Sequence, residues 1–217
     1  MPLRYVVPLL AALGTTVLVL LISGEWHDPL LWAYGGALAL TFAYASLSID
    51  EDLAKERFRP PNPGADGLSL KYVRLIALAH IVVSALDLGR WHLTRVPDSW
   101  RLAALVGMAV SFALVFRSMR ENRFFSSVVR IQTERGHRVI HSGPYSVVRH
   151  PGYVGMIVGV PLSALAIGSW IGFAVSLAYS ALILKRVGFE DGYLQKNLGG
   201  YGDYTQRVRY RLVPGVW

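Results

Sequence analysis

The 217-residue chain contains no cysteine. That excludes disulfides, thiolate zinc sites and a cysteine nucleophile. Charge is scarce: Asp, Glu, Lys and Arg make up 17 % of the residues, against roughly 25 % in an ordinary soluble domain. No Walker A, GxGxxG or GxSxG motif occurs, so a soluble nucleotide-binding fold and a hydrolase elbow both lack support. Histidine is limited to six positions, His27, His80, His92, His137, His141 and His150. A histidine-box di-iron oxygenase would want more of them, in repeated short motifs.

What is abundant is apolar. Hydrophobic residues are 53 % of the chain and the mean hydropathy is +0.38, which excludes intrinsic disorder. The apolar residues come in blocks, which argues against a single soluble domain. A membrane helix needs about 20 mostly apolar residues to cross roughly 30 Å of hydrocarbon. Six blocks qualify: Leu3 to Ile22, Leu30 to Ile49, Tyr72 to Trp91, Trp100 to Phe116, and the shorter Tyr153 to Ile167 and Trp170 to Leu184. The first is long for a signal peptide and is followed by further spans, so it is expected to be retained. Only Gly168 and Ser169 separate the last two, which predicts a tight, short helical hairpin. Gly155 with Gly159 and Gly168 with Gly172 have GxxxG spacing, which lets helices approach closely in lipid. The expected fold is an all-α polytopic membrane bundle, a single domain over 1–217. Residues 1–116 supply the first spans and 117–217 supply a core with a loop and a C-terminal helical cap.

Lys and Arg outnumber Asp and Glu by 22 to 14, a formal net charge of +8. Such a balance suits nucleic acid or an anionic membrane surface. The apolar blocks decide for the membrane, and no nucleic-acid partner is expected. Nineteen of the 22 basic residues fall in the N-terminus, the 50–74 and 117–149 segments and the tail. The positive-inside rule places all of these, and both termini, in the cytoplasm. The 117–149 segment is too long for a plain connector, and its Phe124, Phe125, Val128, Val129 and Ile131 predict an ordered structure. The tail is expected to hold helical stretches over 190–197 and 202–208. Tyr193, Tyr201, Tyr204, Tyr210 and Trp217 are expected at headgroup level, where amphipathic rings are favoured.

Three clusters carry candidate chemistry. The first runs from His141 to Gly155 and contains Gly143-Pro144-Tyr145 and Arg149-His150-Pro151-Gly152-Tyr153. His150 before Pro151 suits a helix start, and free N–H groups there favour an anionic ligand group. The plain alternative is a pair of interfacial anchors. The second cluster is Arg186 with Glu190-Asp191 and Leu194. Its acids can accept from ribose hydroxyls or an amino group, pair with Arg, or merely begin a solvated helix. The third is the tail from Gly200 to Pro214, whose Arg207, Arg209 and Arg211 read alone as a lipid-phosphate segment. His137 and His141 are four apart, as in zinc helices, but Gly136 and Gly143 disfavour a helix there, and no metal is expected. Asp87, near the end of the third span, is expected to pair with Arg90 at i,i+3.

Taken together, Gly143-Pro144-Tyr145, Arg149-His150-Pro151-Gly152-Tyr153-Val154-Gly155, Arg186 with Glu190-Asp191 and Leu194, and then Tyr201, Tyr204 and Leu212-Val213-Pro214 resemble the isoprenylcysteine carboxyl methyltransferase and phospholipid methyltransferase superfamily. The signature of that family is GPY…RHPxYxG, then R-x3-EExxL, spaced tyrosines and a final proline. The resemblance covers about residues 117–217. It implies an S-adenosylmethionine-dependent membrane methyltransferase acting on a lipophilic acceptor, isoprenylcysteine-carboxylate-like or another small lipid or thiol, with membrane lipids around it. It also implies that Tyr145, Arg149, His150 and Tyr153 line the cofactor site and that Glu190 and Asp191 close it. Arg149, Arg186 and Arg209 are the catalytic candidates, the last two for holding a carboxylate or phosphate. A non-catalytic transporter or assembly factor that kept the fold is the alternative. Transporters place their polar groups at the midplane, whereas here they gather at one face.

Overall fold

The computed structural model describes residues 2–217, except the side chains of 68 and 69. Eight α-helices follow one another: α1 (Leu3–Ser23), α2 (Pro29–Ser48), α3 (Glu51–Phe58), α4 (Gly67–Leu86), α5 (Asp98–Glu121), α6 (Pro151–Ile167), α7 (Trp170–Asn197) and α8 (Tyr201–Arg207). Among the described residues there is no strand. Among the described residues, five helices are long and apolar enough to cross a membrane, namely α1, α2, α4, α5 and α7. The protein is an integral membrane helical bundle. The outer faces carry leucines left open to lipid, such as Leu9, Leu10 and Leu13.

The helix starts are written locally. Asp28 caps α2 through the Leu30 N–H and Pro29 opens that helix. Asp50 caps α3 through the Leu53 N–H, and Pro151 opens α6. Ser169 accepts from the Gly172 N–H at the head of α7. In the spans, Thr16, Ser23, Thr41, Ser46, Ser84, Ser111 and Ser118 donate to the carbonyl four residues back. Polar side chains are thereby satisfied within their own helix, as a bilayer requires.

Small residues set the closest packing. A Cβ on Gly155 would run into the Ser111 carbonyl, and one on Gly159 would crowd Ser111 and Phe112, so α6 lies directly on α5. Gly172 likewise admits Ser84 of α4. The 17-residue α6 extends about 26 Å at 1.5 Å per residue.

Its partner is different from the prediction. The α7 helix is one continuous 28-residue rod, not a short span followed by a separate helical stretch. No proline interrupts it, and Gly188 is tolerated within it. Arg186, Glu190 and Asp191 therefore sit on the last turns of the same helix and do not begin a new one. The Asp87–Arg90 pair is also overturned. Residues Asp87–Trp91 form a π-helical turn, Arg90 donates to the Ile22 carbonyl at 3.1 Å, and Asp87 accepts from Thr94 and Ser169. The wider π turn moves the i+3 residue off the acid's face. Finally, Tyr201 and Tyr204 are buried, not at a headgroup surface.

Candidate functional site

The site lies at the end of the bundle where α5 and α7 stop, beneath the segment joining α5 to α6. The chain entering α6 and the tail leaving α8 run side by side there. The Arg149 N–H donates to the Tyr210 carbonyl and the His150 N–H to the Arg211 carbonyl, each at 2.9 Å. This pairing fixes Arg149 and His150 at the mouth of α6.

Asp191 is the hub below them and is 0 % exposed. Arg149 grips its two oxygens with Nε at 2.8 Å and Nη2 at 3.1 Å. Arg211 Nε and Gln195 Nε2 each donate to Oδ2 at 2.9 Å. Tyr201 Oη donates to Oδ1 at 3.0 Å, and His150 Nε2 lies 3.2 Å from the same oxygen. Arg149 Nη1 also donates to the carbonyls of Val208 and Arg209, at 2.8 and 2.7 Å. Burial works against the Arg149 charge, and Asp191 outweighs it, so the guanidinium pKa is raised. Burial and the neighbouring Asp191 charge hold the Tyr201 phenol well above its ordinary value.

A second network runs alongside. Tyr153 Oη donates to Glu190 Oε2 at 2.5 Å and accepts from Arg186 Nε at 2.8 Å. Arg186 Nη1 meets Asp66 Oδ2 at 2.6 Å and Nη2 donates to the Ser127 carbonyl at 2.7 Å. The connecting segment is folded down over both networks. Arg130 holds Glu56 of α3 with Nε at 3.0 Å and Nη2 at 2.6 Å, and Gln132 Nε2 donates to the Phe124 carbonyl at 2.7 Å. His137 stacks on Phe124 with ring centroids 4.5 Å apart. Burial, with the charges of Arg130 and Arg135, pushes the His137 pKa down to about 4.

The pocket between these layers encloses about 750 Å³, including the part open to solvent. Tyr145, Arg149, His150, Tyr153 and Glu190 all line it. Asp191 does not: its oxygens are taken up by five side chains beneath the floor. Arg186 stands behind Tyr153. Arg209 is exposed and supplies its carbonyl, not its guanidinium. The lining also includes Asn122, Phe124 and His137, to which sequence reasoning gave no role in the site. Phe124 and its neighbours were expected to be ordered, yet nothing in their spacing aims them at Glu190. Asp66 was missed too, for it lies 120 positions from its Arg186 partner within a Pro- and Gly-rich loop.

Glu190 Oε1 makes no hydrogen bond among the described residues, and the carboxylate faces the cavity beside the stacked Phe124–His137 pair and Tyr145. A free acceptor beside aromatic faces suits a nucleoside bearing hydroxyls and a cationic centre. Among the described residues, no group of three or more His, Cys, Asp or Glu side chains could hold a metal ion.

Fold and site together define a membrane protein with a pocket of mixed polar and apolar lining at one end of its bundle. Residues 102–196 match the isoprenylcysteine carboxyl methyltransferase (ICMT) family. A probable protein-S-isoprenylcysteine O-methyltransferase of Oryza sativa subsp. indica is 32 % identical over 92 residues, 42 % of this chain and 48 % of that protein. Protein-S-isoprenylcysteine O-methyltransferase B of Arabidopsis thaliana is 27 % identical over 88 residues, 40 % and 45 % of the two chains. The nickel-cobalt-cadmium resistance protein NccN of Alcaligenes xylosoxydans xylosoxydans is 32 % identical over 115 residues, 51 % of each. The chain thus spans about half the length of the curated relatives it matches.

Proposed function

We propose that this protein transfers a methyl group from S-adenosylmethionine to a lipophilic acceptor at the membrane surface, with its pocket and both termini in the cytoplasm. The observation that carries the reading is the meeting of Glu190, on the last turns of α7, with the α6 mouth at Tyr153 across one pocket, the oxygens being 2.5 Å apart. The family match and the names of the plant relatives support methyl transfer.

S-adenosylmethionine supplies a methyl group already activated on a sulfonium. The chain then has little acid or base work to do, and positioning and water exclusion dominate. Glu190 offers the acceptor for ribose hydroxyls or the amino group. Phe124, His137 and Tyr145 offer faces for the base and the cation. Asp191, Arg149 and Tyr201 act one step back by holding the α6 mouth against the tail.

Titrating S-adenosylmethionine into detergent-purified protein in a calorimeter tests this. Micromolar binding is expected, weakened at least tenfold in Glu190→Ala with the melting temperature nearly unchanged. A folded protein that binds none overturns the proposal.

A further inference from the structure

Asp66 stands at the end of the Pro- and Gly-rich loop between α3 and α4, outside the family-matched residues 102–196. Its side chain is only 3 % exposed. A carboxylate taken so far out of water is stable only with a cation and hydrogen-bond donors around it. Asp66 has both. Its Oδ1 accepts from the Val129 N–H at 2.9 Å, and its Oδ2 meets Arg186 Nη1 at 2.6 Å.

The loop is shaped to bring Asp66 there. Gly64 has φ +68°, and a Cβ on it would lie 2.7 Å from the Val128 side chain. Only glycine lets the loop lie this close to the connecting segment. The Ala65 N–H donates to the Val129 carbonyl at 2.8 Å. Both backbone groups of Val129 are therefore taken by residues 65 and 66. The two oxygens of Asp66 divide accordingly, one holding the connecting segment and the other reaching α7.

What Asp66 holds on α7 is the guanidinium that directs Glu190. The fork of Arg186 is committed in three directions: Nη1 to Asp66, Nη2 to the Ser127 carbonyl at 2.7 Å and Nε to Tyr153 Oη at 2.8 Å. A guanidinium has donors and no acceptor. With Nε on its oxygen, the Tyr153 hydroxyl turns its one proton the other way, onto Glu190 Oε2 at 2.5 Å. That oxygen is thereby occupied, and Oε1 is left to the pocket. With the Asp66 charge gone, Glu190 is the one carboxylate remaining in this relay, and Arg186 is drawn toward it.

We propose that Asp66 is a positioning residue of the pocket: by anchoring Arg186 it keeps the Tyr153 hydroxyl aimed at one Glu190 oxygen and leaves the other free for the ligand. Asp66 is not itself a wall of the pocket, and it acts through Arg186 and Tyr153. The loop after α3 thereby sets the geometry of a site whose lining begins at Asn122. The inference rests on the methyl-transfer reading for the identity of the ligand and not for the relay itself.

The relay is tested first without ligand, on the full-length protein in detergent, with 3-fluorotyrosine replacing Tyr153 and its fluorine resonance as the readout. Asp66→Asn should move that resonance by more than its linewidth or split it. Asp66→Glu, which keeps the charge, should bring it back toward the parent. Glu56→Gln breaks the other buried pair under the connecting segment, Glu56–Arg130, without touching Arg186, and should leave the resonance in place. Asp66→Ser keeps an acceptor for Val129 without the charge and gives the same reading where Asp66→Asn does not fold. In calorimetry, Asp66→Asn should weaken S-adenosylmethionine binding at least fivefold, and in a Tyr153→Phe background it should add less than twofold. An unmoved resonance in Asp66→Asn, an equal movement in Glu56→Gln, or equal losses of affinity in both backgrounds overturns the inference. A parent protein that binds no S-adenosylmethionine sinks the methyl-transfer reading alone, because the fluorine measurement still decides the relay.

Discussion

Asp87 and Asp191 both have 0 % of their surface exposed, and they lie at opposite ends of α7, about 30 Å apart at 1.5 Å per residue. Asp87 is satisfied by neutral donors: the Leu93 and Thr94 N–H groups at 3.1 and 3.0 Å, the Ser169 hydroxyl at 2.5 Å and the Thr94 hydroxyl. Asp191 is satisfied mainly by cations, Arg149 and Arg211, with Tyr201, Gln195 and His150 around them. The difference follows what each acid has to hold. Asp87 ties a short turn to a helix start, where backbone amides are within reach. Asp191 ties three distant segments, the α6 mouth, α7 and the tail, and only long side chains can span those gaps. Among the described residues no cation contacts Asp87 at the first end. The second places its clamp directly under the pocket floor.

Breaking the cationic hub should cost most. Asp191→Asn leaves the buried Arg149 and the partly exposed Arg211 without an anion, and removing one partner of a buried pair costs about 3–5 kcal/mol. The expected outcome is a large fall in melting temperature, faster hydrogen exchange over 208–211 and loss of S-adenosylmethionine binding. Asp87→Asn should cost less, about 1–3 kcal/mol for weakened acceptance from Ser169 and Thr94, and should leave that binding within twofold. An Asp87 variant that destabilised more, or that lost the ligand as well, would show that the two ends are not separable.

The same two acids show what the chain discloses unaided. The long apolar blocks made most of the membrane helices readable, because they depend on local pattern. The motif around Arg149, His150 and Tyr153 and the pair at 190–191 come together at one end of the bundle. Roles within the pair were not readable. Neighbours on a helix point about 100° apart, so one acid faces the pocket and the other the tail, and spacing alone does not say which. Asp87 was assigned to Arg90 by α-helical spacing, which fails once the turn widens to five residues. The pairs Arg130–Glu56 and Arg186–Asp66 join segments far apart in the chain, and they form because burial leaves each charge no better partner.

The connecting segment over the pocket offers a milder perturbation. His137 Nδ1 accepts from the Gln132 N–H at 3.2 Å, so a proton on that nitrogen removes the acceptor. The folded value of about 4 lies below the ordinary 6.5. Between those limits the unfolded segment binds more protons, and the segment loses stability as pH falls from about 6.5 toward 4. Exchange of the Gln132 amide, corrected for its intrinsic rate, should be several-fold faster at pH 5 than at pH 7. His137→Gln, which keeps an acceptor without the titration, should flatten that dependence. The Asp87 end should not respond over the same range.

Arg209 should matter least, although it carries the kind of side chain that an anionic substrate would recruit. It sits in the tail that Asp191 anchors, yet its own guanidinium is exposed and only its carbonyl is used, accepting from Arg149 Nη1 at 2.7 Å. Truncating the side chain leaves that carbonyl in place. Arg209→Ala should therefore change stability by no more than about 0.5 kcal/mol, as for exposed substitutions generally, and S-adenosylmethionine binding by less than twofold. Methyl transfer to a membrane acceptor is the sensitive readout. An unchanged rate is expected if the backbone is all this position contributes. A tenfold loss of transfer with binding and melting temperature intact would mean that the guanidinium meets the acceptor, and the clamp at this end would then extend from Asp191 to the substrate itself.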